Sequence, residues 1–185
     1  MISEPIRRAG RMLAAGGVAA YPTEGVYGLG CVPQSLEGAA RILRMKQRRV
    51  EAGMLLIASR PEQLERWVAR DVDTRRLESS ADRPVTWVVD PADEVPYWIT
   101  GQHPGVAVRI TAHPVAAALC DATDSAIVST SANVSGRPPA RNAYILRRQF
   151  RDRVDAIVPG TCGPAAGPSE IRDFRSGTVL RAGAK

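Results

Sequence analysis

Short apolar runs of four or five residues recur along the whole chain and alternate with segments of helical spacing. Runs of this length fit buried strands, whereas apolar positions three and four residues apart fit one face of a helix. Such alternation is typical of layered α/β proteins. With 185 residues and no repeats or linker-like segments, the chain has the size of one ordinary domain. The sequence therefore predicts a single mixed α/β domain over residues 1–185.

Helix-starting, capping and turn-forming residues indicate where the predicted helices, strands and loops lie. Helices are predicted to begin at Pro5, near Leu36 (with Ala39, Ala40 and Leu43 on the same face), at Pro61 after a Ser59 cap, near Pro114 and near Asn142. Strands are predicted at 18–21, 54–58, 85–89, 106–110, 126–130, 156–158, 170–174 and 177–181. The glycine- and proline-rich segment 160–168 is predicted to be a loop.

The chain carries a surplus of positive charge. Its 25 lysines and arginines exceed 19 aspartates and glutamates, which gives a net charge of +6 and a pI of about 9.8. A surplus of this kind favours polyanionic partners such as nucleic acid, nucleotides or phosphates. It equally fits a well-solvated surface, and charge alone leaves both interpretations open.

The composition indicates a cytoplasmic protein with no membrane association. No apolar stretch approaches the roughly 20 residues needed to cross a bilayer, and arginines interrupt the N-terminal segment where a signal peptide would be continuously apolar. Cys31, Cys120 and Cys162 are far apart and form no CxxC pair, which favours reduced thiols. His103 and His113 stand at no zinc-ligand spacing, so no protein-bound metal is expected.

Two segments are candidates for binding an anion. Residues 21–30 (YPTEGVYGLG) run from a strand into a glycine-rich stretch, where backbone N–H groups can approach a ligand or simply turn between strands. Neither a Walker A loop nor a GxGxxG fingerprint occurs in the chain. Lys46 and Arg48 end the second predicted helix, where they suit phosphate or carboxylate oxygens, or the helix dipole alone.

Two further segments carry polar groups in apolar surroundings. Residues 129–136 (STSANVSG) follow a predicted strand and supply hydroxyl and amide groups, either for a ligand at the strand's end or for their own backbone. Arg109 lies within the apolar strand 106–110, where a charge needs a buried carboxylate or a ligand as its partner.

In this order the segments resemble the YrdC family, and within it the short, single-domain bacterial members that are threonylcarbamoyl-AMP synthases. The resemblance runs from about residue 18 to the C-terminus. It is carried by YPTEGVYGLGC at 21–31, LRMKQR at 43–48, PVT at 84–86, VAVRIT at 106–111, IVSTSANVSG at 127–136, GPSEIRD at 167–173 and LRAG at 180–183. Many members have a second threonine where this chain has Gly25, and asparagine or lysine in place of Ala52.

The resemblance implies a mixed α/β fold (α+β in some schemes): a single three-layer YrdC-like domain with a twisted mixed β-sheet around a basic cavity. It also implies two sets of site residues. The ATP-binding set is Lys46, Arg48, Ser131, Asn133 and Arg181, of which Lys46 and Arg48 are catalytic. The threonine-binding set is Thr23, Arg109, Ser129 and Ser169.

The implied activity is the formation of L-threonylcarbamoyladenylate and diphosphate from L-threonine, bicarbonate and ATP, with Mg²⁺ carried by the ATP. The product would pass to threonylcarbamoyl-transferase proteins that modify tRNA. One alternative is a non-catalytic RNA-binding or ribosome-assembly factor with a basic face at Arg141, Arg147, Arg148, Arg151 and Arg153. A relative that uses another carbamoyl donor is a third possibility, and direct RNA or tRNA binding is compatible with catalysis.

Overall fold

The computed structural model describes residues 2–77, 79–165 and 167–183. Its strands are β1 Ala19–Pro22, β2 Tyr27–Gly30, β3 Leu55–Ala58, β4 Val85–Val89, β5 Val106–Ile110, β6 Ile127–Ser131, β7 Ala156–Ile157, β8 Glu170–Asp173 and β9 Val179–Arg181. Its α-helices are α1 Glu4–Ala14, α2 Leu36–Lys46, α3 Tyr97–Thr100, α4 Pro114–Thr123 and α5 Ala143–Phe150. Single 3₁₀ turns occupy Val50–Ala52, Pro61–Gln63 and Thr74–Arg76.

The strands form one mixed sheet in the order β7-β1-β2-β6-β3-β5-β4-β8-β9. Parallel pairing joins β1 to β7, β3 to β5 and β4 to β8, and the remaining neighbours are antiparallel. Neighbours in the sheet such as β2 and β6 are far apart in sequence, so distant segments of the chain are brought together at the sheet's centre. The predicted mixed α/β class is confirmed.

Two cores pack on opposite faces of the sheet. Adjacent strand residues point to opposite sides, so Leu56 belongs to the first core and Ile57 to the second. The first core also receives Ile42 from α2 and Phe150 from α5. The second contains buried residues of α1 and α4, which pack against each other. The result is a sheet covered by helices on both faces.

The predicted apolar face of the second helix is offset from the observed one. Leu36 is 61% exposed, whereas Ala39, Ile42 and Met45 are buried together with Lys46. The buried side of the helix, with Gly38, Ala39 and Ile42, lies about one position earlier than the spacing from Leu36 indicates. This rotation turns Lys46 inward, away from the solvent-exposed helix end that its charge would otherwise favour.

Two other predictions need correction. The segment at Pro61 forms one 3₁₀ turn rather than an α-helix, and Ser59 does not cap it, because its hydroxyl bonds to Gln63 and Asp121. Strand β2 was not predicted, since three glycines in ten residues suggested a turn. Glycine is needed at position 30 because a Cβ there would lie 2.4 Å from the Val128 carbonyl oxygen.

None of the helices in the described ranges is both long and apolar enough to cross a bilayer. The three cysteines are free thiols, and burial raises the pKa of Cys31 to about 12. Cys31 therefore packs as a small apolar residue at neutral pH.

Candidate active site

A cavity of about 660 Å³ opens on the same face of the sheet as the second core. Leu55 packs against that core and also lines the cavity, and Leu55 lies opposite Ser129 in the sheet. Thr86 and Arg109 line it from strands on the other side of β3. The alternation of strand residues explains this arrangement, because their sequence neighbours Trp87 and Val108 pack into the first core.

The cavity brings together most of the predicted site residues. Of the nine, seven line it: Thr23, Arg48, Arg109, Ser129, Ser131, Ser169 and Arg181. The lining holds three arginines and two acidic residues, Glu24 and Asp173. The balance is positive, as an anion-binding cavity requires. The other two predicted residues, Lys46 and Asn133, are not part of the lining. Both contact Ser131, which lines the cavity.

Arg109 is buried and points its charge at Glu24. Its side chain is 8% exposed, and its Nη2 atom lies 3.4 Å from the Glu24 Oε2 atom. Glu24 is itself 2% exposed, and its Oε1 atom accepts hydrogen bonds from the Thr111 hydroxyl (2.6 Å) and the Ala112 N–H (3.2 Å). The sequence left open whether Arg109 meets a buried carboxylate or a ligand cavity, and the structure provides both.

Arg48 also lines the cavity. Its Nη2 atom donates to the carbonyl oxygens of Ala52 and Gly53, each at 3.0 Å, which fixes the guanidinium above the 3₁₀ turn. Its Nε atom is buried without a hydrogen-bond partner among the described residues. Burial lowers the pKa of this guanidinium, which stays charged at neutral pH. Arg48 and Arg109 thus supply two separate cationic positions in one cavity.

Lys46 joins helix α2 to the segment after β6. It is 2% exposed, and its ammonium donates to the carbonyl oxygens of Ser131 and Asn133 and to the Asn133 Oδ1 atom, the last at 3.1 Å. Burial, followed by the charge of Arg48, lowers the pKa of Lys46 to about 8. Three oxygen acceptors fit the ammonium form. Lys46 therefore fixes the backbone that presents Ser131 to the cavity.

The side chains of Ser131 and Asn133 are linked to each other. The Ser131 hydroxyl donates to Asn133 Oδ1 (2.6 Å), and the Asn133 amide donates to the Arg137 carbonyl oxygen (2.7 Å). The Lys46–Arg48 and Ser131–Asn133 segments, 85 residues apart, thus meet as one unit. The sequence predicted that these four residues act together but did not place Lys46 inside the protein.

The C-terminal strands close the cavity on another side. The Ser169 and Thr86 hydroxyl oxygens are 2.8 Å apart, and Arg181 Nη2 donates to the Ser169 carbonyl oxygen at 3.0 Å. Both predicted C-terminal residues are thereby held against β4. Thr86 and Glu24 were given no role by sequence reasoning, although each lies within a segment that carries the family resemblance. The available signal was a polar residue type within a predicted buried strand for Thr86 and shortly after one for Glu24.

Residues 160–165 lie across the turn that follows β1, and we name them the strap. Backbone N–H groups of Gly163 and Ala165 donate to the carbonyl oxygens of Thr23 and Glu24, each at 2.9 Å. At Gly25, a Cβ would lie 2.9 Å from the Ala165 carbonyl oxygen and 3.0 Å from that of Gly167. The absence of a side chain at position 25 permits this close approach.

A second concavity of about 600 Å³ is lined in part by Gln47 and Val134, the sequence neighbours of Lys46 and Asn133. We name it the arginine groove, and its lining includes Gln47, Arg137, Tyr144, Ile145, Arg148 and Arg153. The three arginines are exposed, Tyr144 is 75% exposed, and the lining includes no acidic residue among those described. Of the basic face predicted from the sequence, Arg148 and Arg153 line the groove, whereas Arg141, Arg147 and Arg151 do not.

These features define a mixed α/β protein with an open cavity whose lining includes three arginines. Residues 11–183 match the model of the Sua5/YciO/YrdC family, which carries the description "Telomere recombination". A threonylcarbamoyl-AMP synthase of Cellvibrio japonicus is 46% identical over 178 residues, which are 95% of this chain and 94% of the relative. One from Nitrosococcus oceani is 48% identical over 178 residues, 95% of this chain and 96% of the relative. The chain belongs to the Sua5/YciO/YrdC family.

Solved structures agree with this assignment. The crystal structure of P. abyssi Sua5 complexed with L-threonine superposes with a TM-score of 0.86 at 29% identity, covering 96% of this chain and 54% of that one. The chain thus spans about half the length of that protein. The E. coli YciO structure gives a TM-score of 0.80 at 24% identity and covers 96% of this chain and 88% of that one, which supports the fold.

Proposed function

We propose that this protein is a threonylcarbamoyl-AMP synthase, a nucleotidyltransferase that forms L-threonylcarbamoyladenylate and diphosphate from L-threonine, bicarbonate and ATP. The observation that carries the proposal is a pair of cationic groups that line one cavity but are held by different segments, Arg109 beside Glu24 and Arg48 on the Ala52 and Gly53 carbonyl oxygens. Threonine brings a carboxylate and ATP brings phosphates, so the two substrates need two such groups. Relatives of the same length, 46% and 48% identical, carry this name.

The reaction requires charge neutralisation and alignment more than covalent help. Bicarbonate takes up a proton and loses water to give carbon dioxide. The neutral amine of threonine bonds to its carbon and loses one proton to water, which gives a carbamate that keeps one N–H. A carbamate oxygen then bonds to the α-phosphorus of ATP as the bond to the diphosphate oxygen breaks, leaving a mixed anhydride. Because both reactants are anions, fixed cationic groups that hold them in line lower the barrier.

We assign the threonine end of the cavity to Arg109, with Thr23, Ser129 and Ser169 beside it. A guanidinium grips a carboxylate through two parallel N–H···O bonds, which fixes orientation as well as charge. No hydrogen bond from Arg109 occurs within the described residues, so its donors are available to a ligand. The hydroxyl groups nearby are suited to bond threonine's polar atoms.

We assign the triphosphate end of the cavity to Arg48, Ser131, Asn133 and Arg181. Lys46 holds the backbone of Ser131 and Asn133 in place. Arg48 contacts phosphate oxygens in this proposal, and Lys46 adds positive charge while holding the Ser131–Asn133 backbone. Mg²⁺ enters with ATP as part of the substrate, bound by phosphate oxygens. In the described ranges, no group of three or more histidine, cysteine, aspartate or glutamate residues is placed to hold a metal ion.

The decisive experiment is the formation of diphosphate and the AMP adduct from ATP and Mg²⁺, with threonine and bicarbonate omitted one at a time. Formation that needs both co-substrates supports the synthase. Diphosphate release without threonine, or no turnover by folded protein, contradicts it. In this proposal the product passes to threonylcarbamoyl-transferase proteins in the cytoplasm for tRNA modification, and residues 1–185 act as one domain.

A second activity, direct RNA or tRNA binding, is favoured by the arginine groove. Its arginines are exposed and free of acidic neighbours in the lining, and exposed Tyr144 offers a ring on which a base can stack. Phosphate contacts make such binding steeply salt-dependent. The groove is separate from the cavity, so RNA binding and catalysis are compatible.

We expect the double variant Arg148→Ala/Arg153→Ala to lower affinity for unmodified tRNA by about 10-fold near 0.1 M salt and to reduce the slope of log K against log salt by about 2, since two phosphate contacts are lost. Fluorescence anisotropy at several salt concentrations measures both values. The matched double variant Arg8→Ala/Arg70→Ala removes two exposed arginines outside the groove. Equal losses in the two double variants would point to general surface charge instead of the groove.

A further inference from the structure

Glu24 is a buried carboxylate for which the reaction has no direct use. The threonine carboxylate and the ATP phosphates are negatively charged, so a negative charge in the cavity wall repels these groups. Burial of an ionised carboxylate is itself costly unless hydrogen bonds and an opposite charge compensate. The contacts of its two oxygen atoms indicate what the side chain does.

The first oxygen, Oε1, fixes the carboxylate in place. It accepts the Thr111 hydroxyl at 2.6 Å and the Ala112 N–H at 3.2 Å, both from the chain just after β5. Thr111 is also tied to β3, because its N–H donates to the Ala58 carbonyl oxygen at 2.8 Å. The plane of the Glu24 carboxylate is therefore set by the same sheet that carries Arg109.

The second oxygen, Oε2, has no hydrogen-bond partner among the described residues and lies 3.4 Å from Arg109 Nη2. Burial alone raises the pKa of Glu24, but the charge of Arg109 and the hydrogen bond from Thr111 outweigh it and hold the pKa below its usual value. The carboxylate is ionised at neutral pH. Its free oxygen therefore attracts one edge of the Arg109 guanidinium and leaves the other donors of that group unused.

We propose that Glu24 is a positioning residue for Arg109. Its Oε2 atom holds one edge of the guanidinium, so that the remaining N–H donors keep the orientation needed for a two-bond grip on the threonine carboxylate. The proposal rests on the proposed function, in which Arg109 binds that carboxylate. A loosely held arginine would bind threonine through one bond at a time, with loss of affinity and alignment.

The backbone of Glu24 has a separate task, since its carbonyl oxygen accepts the Ala165 N–H of the strap at 2.9 Å. A side-chain substitution leaves this backbone bond in place. Glu24→Gln is therefore a suitable test, because glutamine has nearly the same shape and keeps an oxygen acceptor for Thr111 and Ala112. The oxygen that faces Arg109 is replaced by an amide NH2 group, so Arg109 loses both the negative charge and the acceptor beside it.

We expect Glu24→Gln to raise the KM for threonine by about 10-fold and to change the KM for ATP by less than about 2-fold. The double variant Glu24→Gln/Arg109→Lys is expected to be little worse than Arg109→Lys alone, because both changes remove the same grip. Initial rates of diphosphate formation at varied threonine and varied ATP give these values, and equilibrium binding of threonine to the full chain gives a second readout.

Thr111→Val serves as the second variant if Glu24→Gln does not fold. It is nearly isosteric and removes the hydroxyl that fixes Oε1, so we expect the threonine KM to rise by about 3-fold. A folded Glu24→Gln or Thr111→Val protein with an unchanged threonine KM overturns the inference, as do equal changes in both KM values. Failure of the wild-type protein to need threonine for turnover would instead contradict the proposed function.

Discussion

Replacing Arg109 by lysine is expected to raise the KM for threonine about 100-fold while changing the KM for ATP little. Lysine keeps a positive charge opposite Glu24 but lacks the planar fork that bonds a carboxylate in two places. The loss of charge-assisted hydrogen bonds amounts to about 2–3 kcal/mol, which corresponds to about 30- to 150-fold in affinity. Initial-rate measurements of diphosphate formation at varied threonine and at varied ATP test this expectation.

The choice of lysine matters for the interpretation. Alanine would leave Glu24 as a buried charge without its partner, which destabilises proteins by about 3–5 kcal/mol and would confuse folding with binding. Arg172→Lys is the matched control, because Arg172 lies in strand β8, is 40% exposed, pairs with Glu170 and is not part of the cavity lining. Arg109→Lys with an unchanged threonine KM would remove Arg109 from the carboxylate site.

Replacing Lys46 by methionine is expected to lower ATP-dependent turnover by about 10²- to 10³-fold, the usual cost of removing one preorganised charge-stabilising donor. Methionine has similar length but no charge, so the Ser131 and Asn133 carbonyl oxygens lose their shared donor. The segment that presents Ser131 to the cavity is then free to shift. The kcat and the KM for ATP should both change, whereas equilibrium binding of threonine should not.

Arg49→Ala is the matched control for this variant. Arg49 is three residues away and basic, but its side chain is 84% exposed and forms an ion pair with Glu51 at 3.4 Å. Its removal is expected to leave turnover within about 2-fold, as surface substitutions generally do. A folded Lys46→Met protein with wild-type kcat and ATP affinity would show that Lys46 is a structural residue with no part in catalysis.

The pH dependence offers an independent check on Lys46. Its pKa is lowered from 10.5 to about 8, so its charge is disfavoured in the folded protein below pH 8. That penalty disappears as the pH rises from 8 to 10.5, and this group's contribution to the free energy of unfolding therefore increases. Turnover with ATP should decline as the pH rises through about 8, the pKa of Lys46 in the folded protein, because the ammonium is lost there. In Lys46→Met this decline should be absent.

The sequence predicted most strands because short apolar runs have few other uses in a chain of this size. Runs such as 85–89 and 106–110 coincide with β4 and β5. Strand β2 was missed because Gly28 and Gly30 suggested a turn, and their real role depends on close neighbours from other strands. The ring of Tyr21 packs where their side chains would stand, a contact that no local pattern reveals.

The sequence predicted most of the residues that line the site, but it did not predict which of them are buried. Seven of the predicted residues line the cavity, because segments with the family's polar groups follow or lie within strands that meet at the sheet's centre. Lys46 appears exposed in sequence, since it ends a helix in a run of basic residues. Its burial depends on a helix rotation set by the packing of Ile42 and Met45. The role of Glu24 depends on distances to Arg109 and Thr111, 85 and 87 residues away.

The strap lies so close to Gly25 that the residue tolerated at position 25 depends on the path of the backbone at Ala165. Segments exchanged between relatives must therefore match at both places. A threonine placed at position 25 alone would meet the carbonyl oxygens of Ala165 and Gly167, which belong to backbone and cannot rotate away. The bonds from Gly163 and Ala165 are backbone bonds, but a Cβ at position 163 would lie 2.8 Å from the Glu24 carbonyl oxygen, so the strap needs glycine there. Grafting a threonine-containing turn into this protein therefore calls for the donor's strap as well. Whether a larger residue can evolve at position 25 therefore depends on the backbone of a segment some 140 residues later in the chain.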